Sequence, residues 1–192
     1  MTLKRTMMRK ITLLFLTGSL VVLGGGRVFP WGTEQQPPKD FVTGGGFIFC
    51  TPSGAMANFG VGGGVKNGAF WGHLNYLDHG IGLHVKGTGV TNYLLVDDKT
   101  RDICGTAVTD TGQNVCYRVR VGDYGEPGNL DHFGIRVTNC SGTVLYQTTA
   151  TYSDGTCDLG ASGTATPDGG NIQLHKGNPS NFGPASGTCN DA

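Results

Sequence analysis

The chain has 192 residues with 14 basic and 14 acidic side chains, so its formal net charge is zero when the histidines are neutral. This balance gives no electrostatic reason for binding to nucleic acid or to an anionic membrane surface. The 34 glycines exceed twice the average usage of about 7%. Because they have no three-residue period, they exclude a collagen-like structure and predict many turns and tight strand corners.

Residues 1–26 have the pattern of a signal peptide. Four basic side chains lie within the first ten residues, a mostly apolar run follows at residues 11–23, and three glycines at 24–26 offer a cleavage region. The run is shorter than the roughly 20 apolar residues of a membrane-spanning helix. The pattern predicts export with no membrane association after cleavage, and an uncleaved anchor is the alternative.

The rest of the chain divides into a linker, one domain and a tail. Residues 27–40 are rich in proline and glutamine and have no periodicity, which predicts a polar linker. Residues 41–176 alternate apolar and polar side chains and form the predicted domain, which is long enough to bury a core. Residues 177–192 are predicted to be a tail attached through its cysteine.

All six cysteines are predicted to form disulfides, because an exported protein meets an oxidising environment. No CxxC pair is present, so a zinc ribbon or a thioredoxin-like site has little support. Six cysteines allow 15 pairings. The predicted strands favour Cys104–Cys116, Cys140–Cys157 and Cys50–Cys189, and the last bridge would contribute about 3–5 kcal/mol by constraining the unfolded chain.

Period-two alternation between turn signals predicts nine or ten short strands and no helix. The predicted strands cover residues 41–50, 56–66, 69–77, 83–96 with a possible break at Gly87, 103–109, 115–121, 132–138, 143–152 and 171–175. Asn67-Gly68 is the strongest hairpin signal, because a type I′ turn needs positive φ at both central positions. The pattern predicts a single antiparallel β-sandwich, jelly-roll-like, with a β-barrel as the alternative. Residues 153–170 carry no clear signal.

Residues 123–137 form the most distinctive stretch, a polar turn that leads into an alternating strand. The turn concentrates four oxygen-bearing side chains, those of Asp123, Glu126, Asn129 and Asp131. Carboxylate and amide oxygens on a glycine-containing loop are suited to Ca²⁺, which is the one cofactor that the sequence suggests. The alternative is that these side chains cap the backbone of their own turn.

Trp71, His73 and Asn75 share one face of the third predicted strand. An aromatic ring beside imidazole and amide groups is typical of a sugar-binding surface, because the ring stacks on the sugar and the polar groups bind its hydroxyls. We therefore predict a ligand-binding strip with Trp71 or Tyr76 exposed, and core packing of Trp71 is the alternative. The other histidines are scattered over the predicted strands, at His79, His84, His132 and His175.

No sequence motif indicates catalysis. The chain has no G-x-S-x-G elbow and no HExxH pair, and no cysteine has the context of a nucleophile. Glu126 and Asp131 are a carboxylate pair, but one short loop is a poor scaffold for the fixed spacing that glycoside hydrolysis needs. The sequence predicts a protein that is not an enzyme.

Six motifs occur in an order that resembles the post-COAP domain family. They are TGGG at residues 43–46, ANFG at 57–60, GHLNYLDH at 72–79, GLHV at 82–85, DYGEPGNLDHFGIRV at 123–137 and GGNIQLH at 169–175. The resemblance implies a β-rich module of bacterial exported and surface proteins. It brings no catalytic residues, and the cysteines depart from the family pattern.

The sequence thus predicts a secreted or cell-surface module that binds carbohydrate or a surface protein without catalysis. The alternative is a structural subunit of an extracellular assembly that self-associates through residues 27–40 or through an open edge strand. A strictly monomeric protein would exclude the alternative.

Overall fold

The computed structural model describes residues 40–149, 152–160, 168–176 and 189. The predicted signal peptide, nearly all of the linker and nearly all of the tail lie outside these residues. The described residues contain strands and turns, which confirms the all-β prediction, and they include no helix long and apolar enough to cross a membrane. The strands are β1 Asp40–Ile48, β2 Ala57–Lys66, β3 Ala69–Asp78, β4 Leu83–Leu95, β5 Thr100–Thr109, β6 Asn114–Gly122, β7 His132–Thr138, β8 Val144–Gln147, β9 Cys157–Asp158 and β10 Gly169–Lys176.

The ten strands form one antiparallel sheet that curls strongly into a half-barrel, consistent with the predicted sandwich or barrel-like class. Strands β1 to β8 are neighbours in chain order, and β10 returns to pair with β1. β9 pairs with β7. Among the described residues the sheet is therefore mainly a meander of local hairpins, to which β10 adds a long-range pairing with β1.

Local turn chemistry explains the predicted hairpin at Asn67-Gly68, which joins β2 to β3. Asn67 and Gly68 both have positive φ, 52° and 83°, and Lys66 lies opposite Ala69 in the β2–β3 register. These are the conformations that a two-residue type I′ turn requires. The prediction of this hairpin is confirmed, and the turn fixes the register of β2 and β3.

At Gly87 the structure decides between the two predicted alternatives. β4 runs through Gly87 as one continuous strand, with register shifts near Gly87 and Val90. The predicted strand at 143–152 is shorter, because β8 pairs with only the last part of β7 and ends at Gln147. The first part of β7 pairs instead with β9, in the stretch that had no assignment.

The core lies inside the curl, where strands far apart in the sheet meet. The rings of Phe59 on β2 and Phe133 on β7 stack with centroids 3.8 Å apart. Gly63 on β2 faces Ile103 on β5 so closely that an added Cβ would lie 2.6 Å from the isoleucine Cγ2. The inner face therefore packs on itself, and the alternate residues of each strand form the outer face.

A buried polar network lies at each end of the curl. At one end Arg101 donates to both carboxylate oxygens of Asp40, to which the hydroxyl of Tyr93 also donates. At the other end the hydroxyl of Tyr146 donates to Asp78 at 2.8 Å and bonds the hydroxyl of Tyr76 at 2.6 Å. Burial raises the pKa of all three tyrosines, so their hydroxyls keep their protons at neutral pH.

All six cysteines form disulfides, as predicted, but the predicted pairings were wrong. The bridges are Cys50–Cys157, Cys104–Cys189 and Cys116–Cys140. On β5 and β6, Cys104 lies opposite Arg118 and Cys116 lies opposite Thr106, so the two cysteines are two residues out of register. Three bridges are typical of a protein that folds in an oxidising, extracellular environment.

Candidate functional site

The outer face of β1, β2 and β3 has an open floor made of glycine. Gly45 on β1 lies opposite Gly60 on β2, which in turn lies opposite Asn75 on β3. An added Cβ at Gly60 would meet no atom within 4 Å, and one at Gly45 would meet only backbone, at 3.4 Å or beyond. Since a strand without side chains exposes its backbone, this row forms a depression in the surface.

Polar side chains border the floor on both sides. On the β3 side His73 and Asn75 are exposed. On the β10 side Asn171 lies opposite Gly45, and the amides of Asn171 and Gln173 both donate to Glu126, at 3.3 and 3.1 Å. We call this depression the glycine trough: the floor of Gly45 and Gly60, the β3 wall of His73 and Asn75, and the β10 wall of Asn171, Gln173 and Glu126. From β10 to β3 the trough spans three strand spacings, or about 14 Å.

Asn75 is held in place by its neighbours on β4. Its Oδ1 accepts a hydrogen bond from His84 Nε2 at 2.6 Å, and His84 Nδ1 lies 3.0 Å from Asp110. Lys86 pairs with the same Asp110 at 2.8 Å, and these two partners lower the pKa of that carboxyl, the hydrogen bond from Lys86 contributing most. Because Oδ1 accepts the bond from His84, the donor that Asn75 can offer a ligand is its N–H₂ group.

Trp71 lies on the same outer face, four residues before Asn75 on β3. It packs edge-on against Phe41 with centroids 5.4 Å apart, and Phe41 stacks on His175 at 4.4 Å. The ammonium of Lys66 lies 5.1 Å from the Trp71 ring. Trp71 is half-buried in this outer cluster, and its Nε1 has no hydrogen-bond partner among the described residues. The three predicted ligand-binding residues therefore share one face, as predicted. Of the two aromatic residues that were candidates for exposure, Tyr76 faces the core and is fully buried, which leaves Trp71.

The acidic turn holds the sheet edge at β10. Asp123 accepts a hydrogen bond from the backbone N–H of Leu174, and Asp131 accepts one from Ile172 and another from Tyr124. These N–H groups of β10 are the ones that β1 does not use, since β10 is an edge strand. The carboxylates therefore take the place of a neighbouring strand, a long-range contact that no local sequence pattern predicts.

The four predicted calcium ligands do not act alike. Asp123, Glu126 and Asp131 all bond to β10, and Asn129 takes no part in these bonds. Among the described residues, no group of three or more histidine, cysteine, aspartate or glutamate side chains is placed to hold a metal ion. Calcium binding at this turn stays a prediction. Asp131 is fully buried, so it does not form an open carboxylate pair with Glu126.

The remaining histidines bond to separate partners on the outer surface. His79 contacts Asn58 at 2.7 Å, His132 contacts Asp158 at 2.9 Å, and His175 contacts Thr43 at 3.0 Å. Their imidazoles lie on different strands, and no described metal cluster includes them. Each of these imidazoles therefore has its own polar partner, and His132 also stacks on the ring of Tyr152.

We predict that Asp131 gives the protein an unusual pH dependence. Burial raises the pKa of its carboxyl, and the nearby Asp123 acts in the same direction, against the backbone N–H donors. A folded-state pKa above the unfolded value near 3.8 means that the folded state holds the proton more tightly. The stability that Asp131 contributes is therefore fully present below the unfolded-state pKa and is lost as the pH rises through the folded-state pKa.

The test compares the unfolding free energies of wild type and Asp131→Asn. The variant lacks the titrating carboxyl, and the pH dependence of the other groups is common to both proteins and cancels in the difference. We expect the advantage of the wild type to shrink as the pH rises from the unfolded-state pKa near 3.8 toward neutrality. Urea unfolding of both proteins at several pH values measures it. An advantage that grows over this range would contradict the assignment.

Comparison with models of known protein families, with curated proteins and with solved structures found no match. The resemblance of the sequence motifs to the post-COAP domain family stays a prediction.

Proposed function

We propose that the protein is a secreted, non-catalytic module that binds a neutral carbohydrate chain in the glycine trough. The observation that carries the proposal is the open floor at Gly60, where an added Cβ would touch nothing, between polar walls on β3 and β10. The three disulfides and the signal-peptide pattern support secretion.

The chemistry of the trough suits sugar hydroxyls. Asn75 offers an N–H₂ donor, His73 an exposed imidazole, and Glu126 a carboxylate that is held by two amide donors. The floor at Gly45 and Gly60 carries no side chains, so a sugar ring can lie on it without steric conflict. Because Glu126 would repel an acidic sugar, the site favours a neutral one.

The position of the trough argues against a peptide ligand bound by strand addition. Strand addition needs a free edge with unpaired N–H and C=O groups. The floor strands β1 and β2 are both paired on each side, and the β10 edge is occupied by the carboxylates of Asp123 and Asp131. A ligand in the trough must therefore be recognised by side chains, which is how carbohydrates are bound.

Gly60→Leu tests the proposal without disturbing the fold. The side chain has open space, Gly60 is not in the left-handed region, and a larger residue suits a strand better than glycine. We expect a melting temperature at or above that of wild type and at least a tenfold loss of affinity for neutral polysaccharides. Affinity electrophoresis against a panel of soluble glucans, mannans, xylans and galactans measures the loss.

Gly89→Leu is the matched control, because an added Cβ at Gly89 on β4 also meets nothing within 4 Å and lies outside the trough. It should bind like wild type. If the two variants bind polysaccharide with equal affinity, the trough is not the binding site. Absence of binding by the wild type across the panel would remove the carbohydrate function itself.

A further inference from the structure

An apolar cavity opens at the end of the curl where Tyr146 and Asp78 meet. Its volume is about 220 Å³, and its apolar lining consists of Ile81, Leu83, Val115, Val137, Leu145 and the ring of Tyr146. Val115 and Val137 belong to the buried core, so the cavity reaches into the interior of the sheet. It lies on the inner face, separate from the glycine trough on the outer face.

The two hydroxyl groups in the cavity wall, those of Tyr146 and Thr109, are already engaged. The hydroxyl of Tyr146 bonds Asp78 and Tyr76. The hydroxyl of Thr109 contacts that of Thr111 at 2.8 Å and accepts from the N–H of Gln113 at 3.2 Å. A ligand in the cavity therefore finds no free hydroxyl to bind, and an apolar molecule occupies it without breaking a hydrogen bond.

The rim of the cavity is also apolar. Ile81, in the turn between β3 and β4, is 59% exposed, and Leu145 on β8 is 47% exposed. Large aliphatic side chains on both sides of an opening favour entry of an apolar molecule, because the molecule covers them as it binds.

We propose that this cavity binds a small apolar molecule of about one or two rings, or an alkyl chain of similar volume. Size decides the class: an apolar cavity of about 150 Å³ binds benzene, whereas drug-sized ligands occupy about 300–1,000 Å³. At about 220 Å³ this cavity falls between the two. Barrel-like sheets commonly hold ligands at such a mouth.

The methyl groups of the lining make the proposal directly measurable. Five lining residues are isoleucine, leucine or valine, so titration of protein labelled at the methyls of these three residue types with p-xylene, followed by ¹³C–¹H NMR, reports on the cavity wall. We expect saturable shifts confined to Ile81, Leu83, Val115, Val137 and Leu145. No saturable shift up to the solubility of p-xylene, or shifts spread over the whole surface, would overturn the proposal.

Leu145→Trp should fill the mouth and weaken p-xylene binding at least tenfold. The control is Val144→Trp, because Val144 is 49% exposed and does not line the cavity. Ile81→Trp, from the opposite rim, serves if the first variant unfolds. Unchanged binding in both mouth variants would overturn the proposal. So would pocket-methyl shifts that follow protein concentration without p-xylene, because the occupant would then be a second copy of the chain.

Discussion

Loss of the Cys50–Cys157 disulfide is expected to lower the free energy of unfolding by about 4–5 kcal/mol in the double variant Cys50→Ala/Cys157→Ala. The bridge closes a loop with a sequence separation of 107 residues, and the entropy that a cross-link removes from the unfolded chain grows with the logarithm of loop length. It also joins the end of β1 to the two-residue strand β9, which has little hydrogen bonding of its own.

The matched comparison is Cys116→Ala/Cys140→Ala, which opens a loop with a separation of only 24 residues. The same argument gives a cost of about 3 kcal/mol, or roughly 1 kcal/mol less. Guanidinium unfolding of the three proteins measures both costs. Equal costs, or a larger cost for the short loop, would show that strain or unfolded-state structure outweighs loop entropy here.

Asp40→Ala is expected to destabilise the protein by about 3–5 kcal/mol, because it leaves the buried guanidinium of Arg101 without its carboxylate. Both side chains are almost fully buried, and Arg101 Nη2 lies 2.6 Å from Asp40 Oδ2. The hydroxyl of Tyr93 loses its acceptor in the same change. The pair joins β1 to β5 across the inside of the curl, so its loss opens that end of the core.

The double variant Asp40→Ala/Arg101→Met distinguishes the stabilisation that the ion pair provides from the destabilisation that an unpaired buried charge causes. Removing both charges avoids the buried cation, so the double variant should be more stable than Asp40→Ala alone. Urea unfolding of the two single variants and the double variant gives the coupling energy. Additive costs would mean that water reaches Arg101 once Asp40 is gone.

Local patterns predicted the strands well because they depend on neighbours in sequence. The Asn67-Gly68 turn and the alternation of β7 follow from turn chemistry and from period two alone, and both occur as predicted. The alternation also placed Trp71, His73 and Asn75 together. The alternation did not decide which face of β3 is buried, because the inner face includes the charged residue Asp78. A hydrogen bond from Tyr146 stabilises this buried carboxylate.

The contacts that define the candidate site join residues that are far apart in the sequence, so local sequence patterns do not predict them. The trough exists because Gly45 and Gly60, in separate glycine-rich strands, fall opposite each other in the register. The β10 wall depends on Glu126, which is 45 residues before Asn171 in the chain. The cysteine pairing likewise depends on register, since neighbouring strands alone suggested Cys104–Cys116. Two adjacent glycine-rich strands are the signal that would have indicated the trough.

The most direct measurement of the central claim is an ¹⁵N–¹H NMR titration of the mature protein with the neutral polysaccharide fragment that it retains best. The account predicts saturable shifts of the backbone amides of Gly45 and Gly60 and of the side-chain amide of Asn75, with the apolar cavity unaffected. Saturable shifts elsewhere, with these three groups unchanged, would contradict it.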